Sequence, residues 1–161
     1  AMPTGDQEIT GTCYGETAGD NTGNLAARVA TNGTHNGYMT YYSGGTLAIW
    51  RIDAGSPDAY TQLVSSLRSY TVGANSLRFK VTGTSPVALE VQTGATAVLT
   101  ITDGTGTAKT SGVPGIHIFN NTANLAYVDD FKVDDLVVAG AVTPQHTTFI
   151  LGQALARASR Y

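Results

Sequence analysis

The chain has 161 residues, long enough for one domain with a proper core, and is rich in Gly while poor in charge. Scarce Lys and Glu beside many turn and hydroxyl residues argue against a helical bundle. A net charge of −3, with nine scattered Lys and Arg, argues against nucleic acid as a partner.

No apolar run approaches the roughly 20 residues of a membrane-spanning helix. Cys13 is the single cysteine, which excludes an internal disulfide and a thiolate metal cluster. On a strand, such a thiol is expected to be buried packing. The "AM" ahead of Pro3 reads as a cloning remnant, so the chain is expected to be a piece of a longer protein.

From there the apolar residues recur with a period of two. Strands are predicted over 7–16, 24–31, 37–43, 46–53 and 61–66. In "SLRFKVTG", Leu77, Phe79 and Val81 face one way while Arg78 and Lys80 face the other. "VALEVQTG" repeats the pattern with Val87, Leu89 and Val91, and "TGTSP" and "TGAT" supply the turns. Segments 97–102, 115–120 and 125–138 complete the series. Short strands with turn signals at regular spacing predict an all-β fold, an antiparallel β-sandwich over residues 3–142. After Pro144, "FILGQALARASRY" places Ile150, Leu151, Ala154, Leu155 and Ala158 on one helical face. Residues 143–161 therefore read as a docked tail or as the start of a following module.

Three segments, in order, resemble the jelly-roll domains of the concanavalin A-like lectin/glucanase superfamily. They are "GNLAARVATNGTHNGYMTYYSGGTLAIWRI", "SLRFKVTGTSPVALEVQTG" and "TSGVPGIHIFNNTANLAYVDDFKV". The resemblance spans roughly residues 7–138 and implies the fold more than any one function. Such domains open with a strand that pairs beside the closing one. Here the chain begins close to "AARV", so either that first strand is expected to lie upstream, or the tail or a partner chain is expected to cover the edge.

The acids of "YVDDFKVDDLVV" raise the question of chemistry. Val128, Phe131, Val133 and Leu136 break strict alternation, which predicts a bulge near Asp129–Asp130. Hydrolysis of a glycoside needs two carboxyl groups about 5–9 Å apart across one bond. Glu8, Glu16 and Glu90 have no acid at alternate spacing, and adjacent aspartates on a regular strand point to opposite faces. His35, His117 and His146 lie in separate segments, a poor zinc set. An enzyme is not expected. By resemblance, a structural Ca²⁺ near the closing strand would take Asp130 as ligand, with Asp129 as the alternative.

Sugar binding on such sandwiches uses aromatic rings with a few polar groups. Tyr38 and Tyr42 share one strand face and Met39 and Tyr41 the other, while Trp50 and Ile52 oppose Leu47, Ile49 and Arg51. Tyr41 or Tyr42, with Trp50, Arg28 and His117, is the candidate carbohydrate site. A lone Trp among Leu and Ile is also a common core residue, and both readings of Trp50 stand. The function expected is a non-catalytic carbohydrate-recognition module of a larger secreted, surface or virion protein, its partner a glycan or polysaccharide. The alternative is a structural or decoration module assembling with neighbouring domains or chains in a surface protein or phage particle.

Overall fold

The computed structural model describes residues 5–15, 21–30, 35–43, 45–54, 59–67, 73–120 and 126–136. They form ten strands: β1 Gln7–Gly15, β2 Asn21–Val29, β3 Gly37–Ser43, β4 Thr46–Asp53 and β5 Ala59–Leu67. Then follow β6 Gly73–Thr82, β7 Val87–Thr93, β8 Thr96–Asp103, β9 Val113–Asn120 and β10 Tyr127–Asp135. One antiparallel layer runs β5-β4-β3-β2-β9 and the other β10-β1-β6-β7-β8. A single residue pair, Gly15↔Thr22, joins them. Every predicted strand is present, in a β-sandwich. The 143–161 segment lies outside the described residues.

A strand does lie beside the closing one. β1 lies directly beside β10, from Gln7↔Asp135 to Tyr14↔Tyr127, and pairs with β6 along its other side. β1 and β2 belong to different layers and share only one pair. β1 therefore needs no long hairpin with β2 before "AARV".

The expected bulge is there too. Register slips between Thr10↔Lys132 and Thr12↔Asp129, and Asp130 sits at φ +51°, where its amide donates to Asp129 Oδ1 at 2.9 Å. An Asp tolerates this left-handed conformation better than most residues because its short polar side chain bonds locally.

Alternation carries the core. Ile9, Cys13, Leu77, Phe79, Val81, Leu89 and Val91 of one layer pack on Leu25, Ala27, Tyr38, Leu47 and Ile49 of the other. Each fully buried large apolar side chain contributes about 1.5–3 kcal/mol. Burial pushes the Cys13 thiol up to about 12, so it is packing and not a nucleophile. The layers pinch together at Gly23, where a Cβ would lie 2.2 Å from the Tyr127 carbonyl oxygen.

A polar cluster closes one end of the core. Asp103, 2 % exposed, accepts hydrogen bonds from Tyr38 Oη at 2.9 Å and Arg51 Nη1 at 3.1 Å, and from the Thr105 amide and hydroxyl. Burial alone would raise its pKa, but the donors from Thr105, Arg51 and Tyr38 hold it below the ordinary carboxylate value. Arg51 also pairs with Asp53, which in turn takes Lys109. These bonds tie β3, β4 and the segment after β8 into one unit.

Candidate functional site

The outward face of the β5-β4-β3-β2-β9 layer carries the site. Met39 pairs with Trp50 across β3 and β4, and Ala26 pairs with Met39 across β2 and β3. Register thus puts Ala26, Met39 and Trp50 in one row perpendicular to the strands, on one face because paired residues share a side. Tyr41 stands one step along β3 on that same face. From β5, Tyr60 pairs with Ile52, two residues beyond Trp50 and on its face. From β9, His117 pairs with Asn24, two residues before Ala26.

These strands enclose a shallow trough of about 240 Å³ lined by Met39, Tyr41, Trp50, Tyr60 and His117. Beneath it Ala26, Met39 and Ile52 form a second, smaller apolar cluster, against which Val29, Tyr41 and Trp50 pack. The Tyr41 and Trp50 rings meet edge to face, centroids 5.7 Å apart at 73°. Two near-perpendicular rings form a corner with apolar walls. Pockets for drug-sized ligands run about 300–1,000 Å³, so this trough suits something smaller.

Trp50 is neither of the extremes expected for it: it is half-buried, at the margin of the outer cluster and outside the main core. Its Nε1 and the Nδ1 of His117 are buried with no hydrogen-bond partner among the described residues. A buried polar atom left unpaired costs about 1–3 kcal/mol. Desolvation by burial lowers the His117 pKa, and the nearby His35 lowers it further, so the imidazole is held neutral around pH 7.

Two of the expected residues lie elsewhere. Tyr42, 5 % exposed, faces the sandwich interior with Tyr38. Arg28 is 1 % exposed and is consumed by structure: Nε donates to Gly5 O, Nη1 to Lys109 O and Nη2 to Asp6 Oδ1. Alternation places Arg28 on the trough face with Ala26. Its φ of +51° and the register slip between Ala26 and Val29 turn it away from that face. Tyr60 is not among the residues the sequence suggests, because it falls just outside the strand predicted over 61–66. It is 45 % exposed on edge strand β5, and only its pairing with Ile52 reveals its face.

Asp129 and Asp130 are exposed on β10, in the other layer. Among the described residues, no group of three or more His, Cys, Asp and Glu comes together as a metal-ion site.

The other layer's outward face holds a broader depression of about 530 Å³, lined by Lys80, Thr82, Ala88, Leu89, Glu90, Thr100, Ile101 and Thr102. Register brings Glu8, Lys80 and Glu90 into one row there. Glu8 pairs with Arg78 at 3.2 Å and Lys80 at 3.7 Å, and Gln92 donates to Glu90. Lys80 stands between the two carboxylates. Glu8 is thus engaged by two cations, and Glu90 by the Gln92 amide.

No protein-family model matches the sequence, and no curated protein matches it. Among solved structures, the fold is similar to a carbohydrate-binding module, CBM66 from Bacillus subtilis, with a TM-score of 0.62 and 13% identity over 84% of this chain and 78% of that one. A weaker match is the GH43 protein BlXynB from Bacillus licheniformis, in mutant form, with a TM-score of 0.46 and 14% identity over 80% of this chain and 26% of that one. At such identity the first likeness shows the fold, a β-sandwich of the type found in carbohydrate-binding modules.

Proposed function

We propose that this chain is a non-catalytic carbohydrate-recognition module of a larger secreted, surface-exposed or virion protein, with Trp50, Tyr41, Tyr60 and His117 as its sugar platform. The observation that carries the reading is the aromatic corner on a sheet face left open by the described residues, with a buried ring nitrogen on each of two lining side chains that has no partner among those residues. Aromatic rings stack on the C–H faces of sugars while a few polar atoms fix orientation. The fold's likeness to a carbohydrate-binding module agrees with this and does not by itself identify a ligand.

The experiment is a glycan and polysaccharide screen of the purified chain, read by Trp50 fluorescence and calorimetry. Binding weakened at least about tenfold (about 1.4 kcal/mol) by Trp50→Ala or Tyr60→Ala is expected. Tyr60 is exposed, so its loss leaves the melting temperature nearly unchanged. Silence across the panel would abandon the reading. Running each titration with calcium and with chelator also tests a structural ion at Asp130, with Asp129, which we carry as a separate proposal. An ion held there raises the melting temperature in calcium, and Asp130→Ala removes that rise.

A second reading, a structural or decoration module, is favoured by one observation. Ile116 and Ile118 of β9, on the face opposite His117, are 44 % and 43 % exposed, and Tyr127 of β10 is 41 % exposed beside them in the fold. Apolar residues open along one side of a sandwich suit a neighbouring domain or chain. Light scattering on the wild type and on Ile118→Lys separates the two: an assembly that the lysine dissolves supports the structural role.

A further inference from the structure

Among the described residues, no acid, lysine or arginine lines the trough. Met39, Tyr41, Trp50, Tyr60 and His117 include no carboxylate, amine or guanidinium. Both arginines of the strands that build it are committed elsewhere. Arg51 alternates with Trp50 on β4 and turns to the core, where Asp53 and Asp103 hold it. Arg28 is held by Asp6 and two backbone carbonyls. Lys109 is bound to Asp53. An anionic sugar entering this corner loses water and gains no counter-charge, a costly exchange.

The unpaired atoms narrow the chemistry further. Trp50 Nε1–H only donates, whereas His117 Nδ1 accepts or donates according to which ring nitrogen carries the proton. A hydroxyl group serves both, since it accepts from the indole and either donates to or accepts from the imidazole. A carboxylate or sulfate only accepts, so it serves both nitrogens only in the tautomer with the proton on Nδ1. An apolar peptide side chain offers neither. The rings ask for C–H faces, the nitrogens for hydroxyls, and the lack of charge for a neutral ligand.

We infer that the trough selects neutral saccharides and rejects uronates and sulfated or sialylated glycans. This inference rests on the carbohydrate reading above and adds the class of sugar.

The test uses the full chain and two sets of defined probes. The neutral set is cello-, xylo-, malto- and mannooligosaccharides with soluble mannan, and the anionic set is oligogalacturonate, hyaluronan, heparin and sialyllactose. Each is titrated by calorimetry in about 0.02 M and about 0.5 M salt, because surface charge interactions are screened over that range. The expected result is binding to a member of the neutral set, with affinity changing less than about twofold between the two salt concentrations. Trp50→Phe, which keeps a ring but removes the indole N–H, weakens that binding about tenfold, the size of a lost hydrogen bond near 1.4 kcal/mol. Far-UV circular dichroism and melting confirm that this variant is folded, and Tyr60→Ala supplies an independent variant on the exposed rim.

Anionic glycans bound as tightly as neutral ones, with affinity falling in salt, overturn the inference and leave the carbohydrate reading intact. Neutral binding untouched by both variants also overturns it, because the ligand then sits elsewhere. Silence from both sets removes the carbohydrate reading and this inference together.

Discussion

Asp103 shows how much of this protein's stability rests on single polar side chains. It is buried beneath Tyr38 and Arg51, and removing it leaves a mostly buried guanidinium with Asp53 as its carboxylate partner among the described residues and the Thr105 hydroxyl beside it. Breaking a buried pair from one side costs about 3–5 kcal/mol. Asp103→Ala is therefore expected to shift a urea midpoint by that much; a loss under about 1 kcal/mol would show the cluster to be incidental. Acid acts on two separate windows. The His117 pKa is lowered below its ordinary 6.5, so the unfolded chain takes up that proton first and stability falls as pH drops through about 6.5. Asp53 and Asp103 are held below 3.8, so their contribution persists above that value and is lost only as pH falls further. Melting curves across pH 3–8 should show two steps, and His117→Gln should erase the upper one. At this scale the sequence was partly legible. Period-two parity put Tyr41, Trp50 and His117 among the candidates, but choosing Tyr41 over Tyr42 required the Met39↔Trp50 register. No parity rule anticipates an arginine at positive φ, which is why Arg28 was misassigned.

Among the elements, the corner between β2 and β10 is the tightest joint. Any Cβ at Gly23 meets the Tyr127 carbonyl, a backbone atom that cannot swing aside as a side chain tip can. Gly23→Ala is expected to cost about 1–3 kcal/mol by overpacking and to disturb the stacked Tyr14–Tyr127 rings, whose centroids are 3.9 Å apart. Near-ultraviolet circular dichroism checks this, and an unchanged tyrosine signal at wild-type stability would refute it. The strands themselves were readable because each is short, alternates, and ends at a turn signal. Their ends were less so. β2 starts at Asn21 because Thr22 pairs across the corner with Gly15, and β6 starts at Gly73 because β1 offers a partner all the way to Gly15. Such extensions are set by a neighbour far away in sequence, and no local pattern encodes them. The break at Asp129–Asp130 was legible because a bulge displaces the apolar residues that follow it.

For the molecule as a whole, both layers contribute to one apolar core, so neither can open while the other stays folded. Urea unfolding followed by Trp50 fluorescence, which reports one layer, should coincide with far-ultraviolet circular dichroism, which reports both. Separated transitions would mean that the layers are independent. The two-layer architecture was visible in composition and turn spacing. The partner of the closing strand was not, because the distance between two strands in sequence says little about which layer each will join.

The central position of β1 has a consequence for how the protein comes into being. Its partners, β6 and β10, are made long after it leaves the ribosome, since Gln7 waits for Val81 on one side and Asp135 on the other. The contacts that complete its layer span most of the described chain, the kind of topology that folds slowly. During translation, β1 carries Ile9 and Cys13 with neither neighbour available, an early strand with two open edges. Its alternate residues Glu8, Thr10 and Thr12 are polar, which keeps one side of that waiting strand soluble until the last strand arrives.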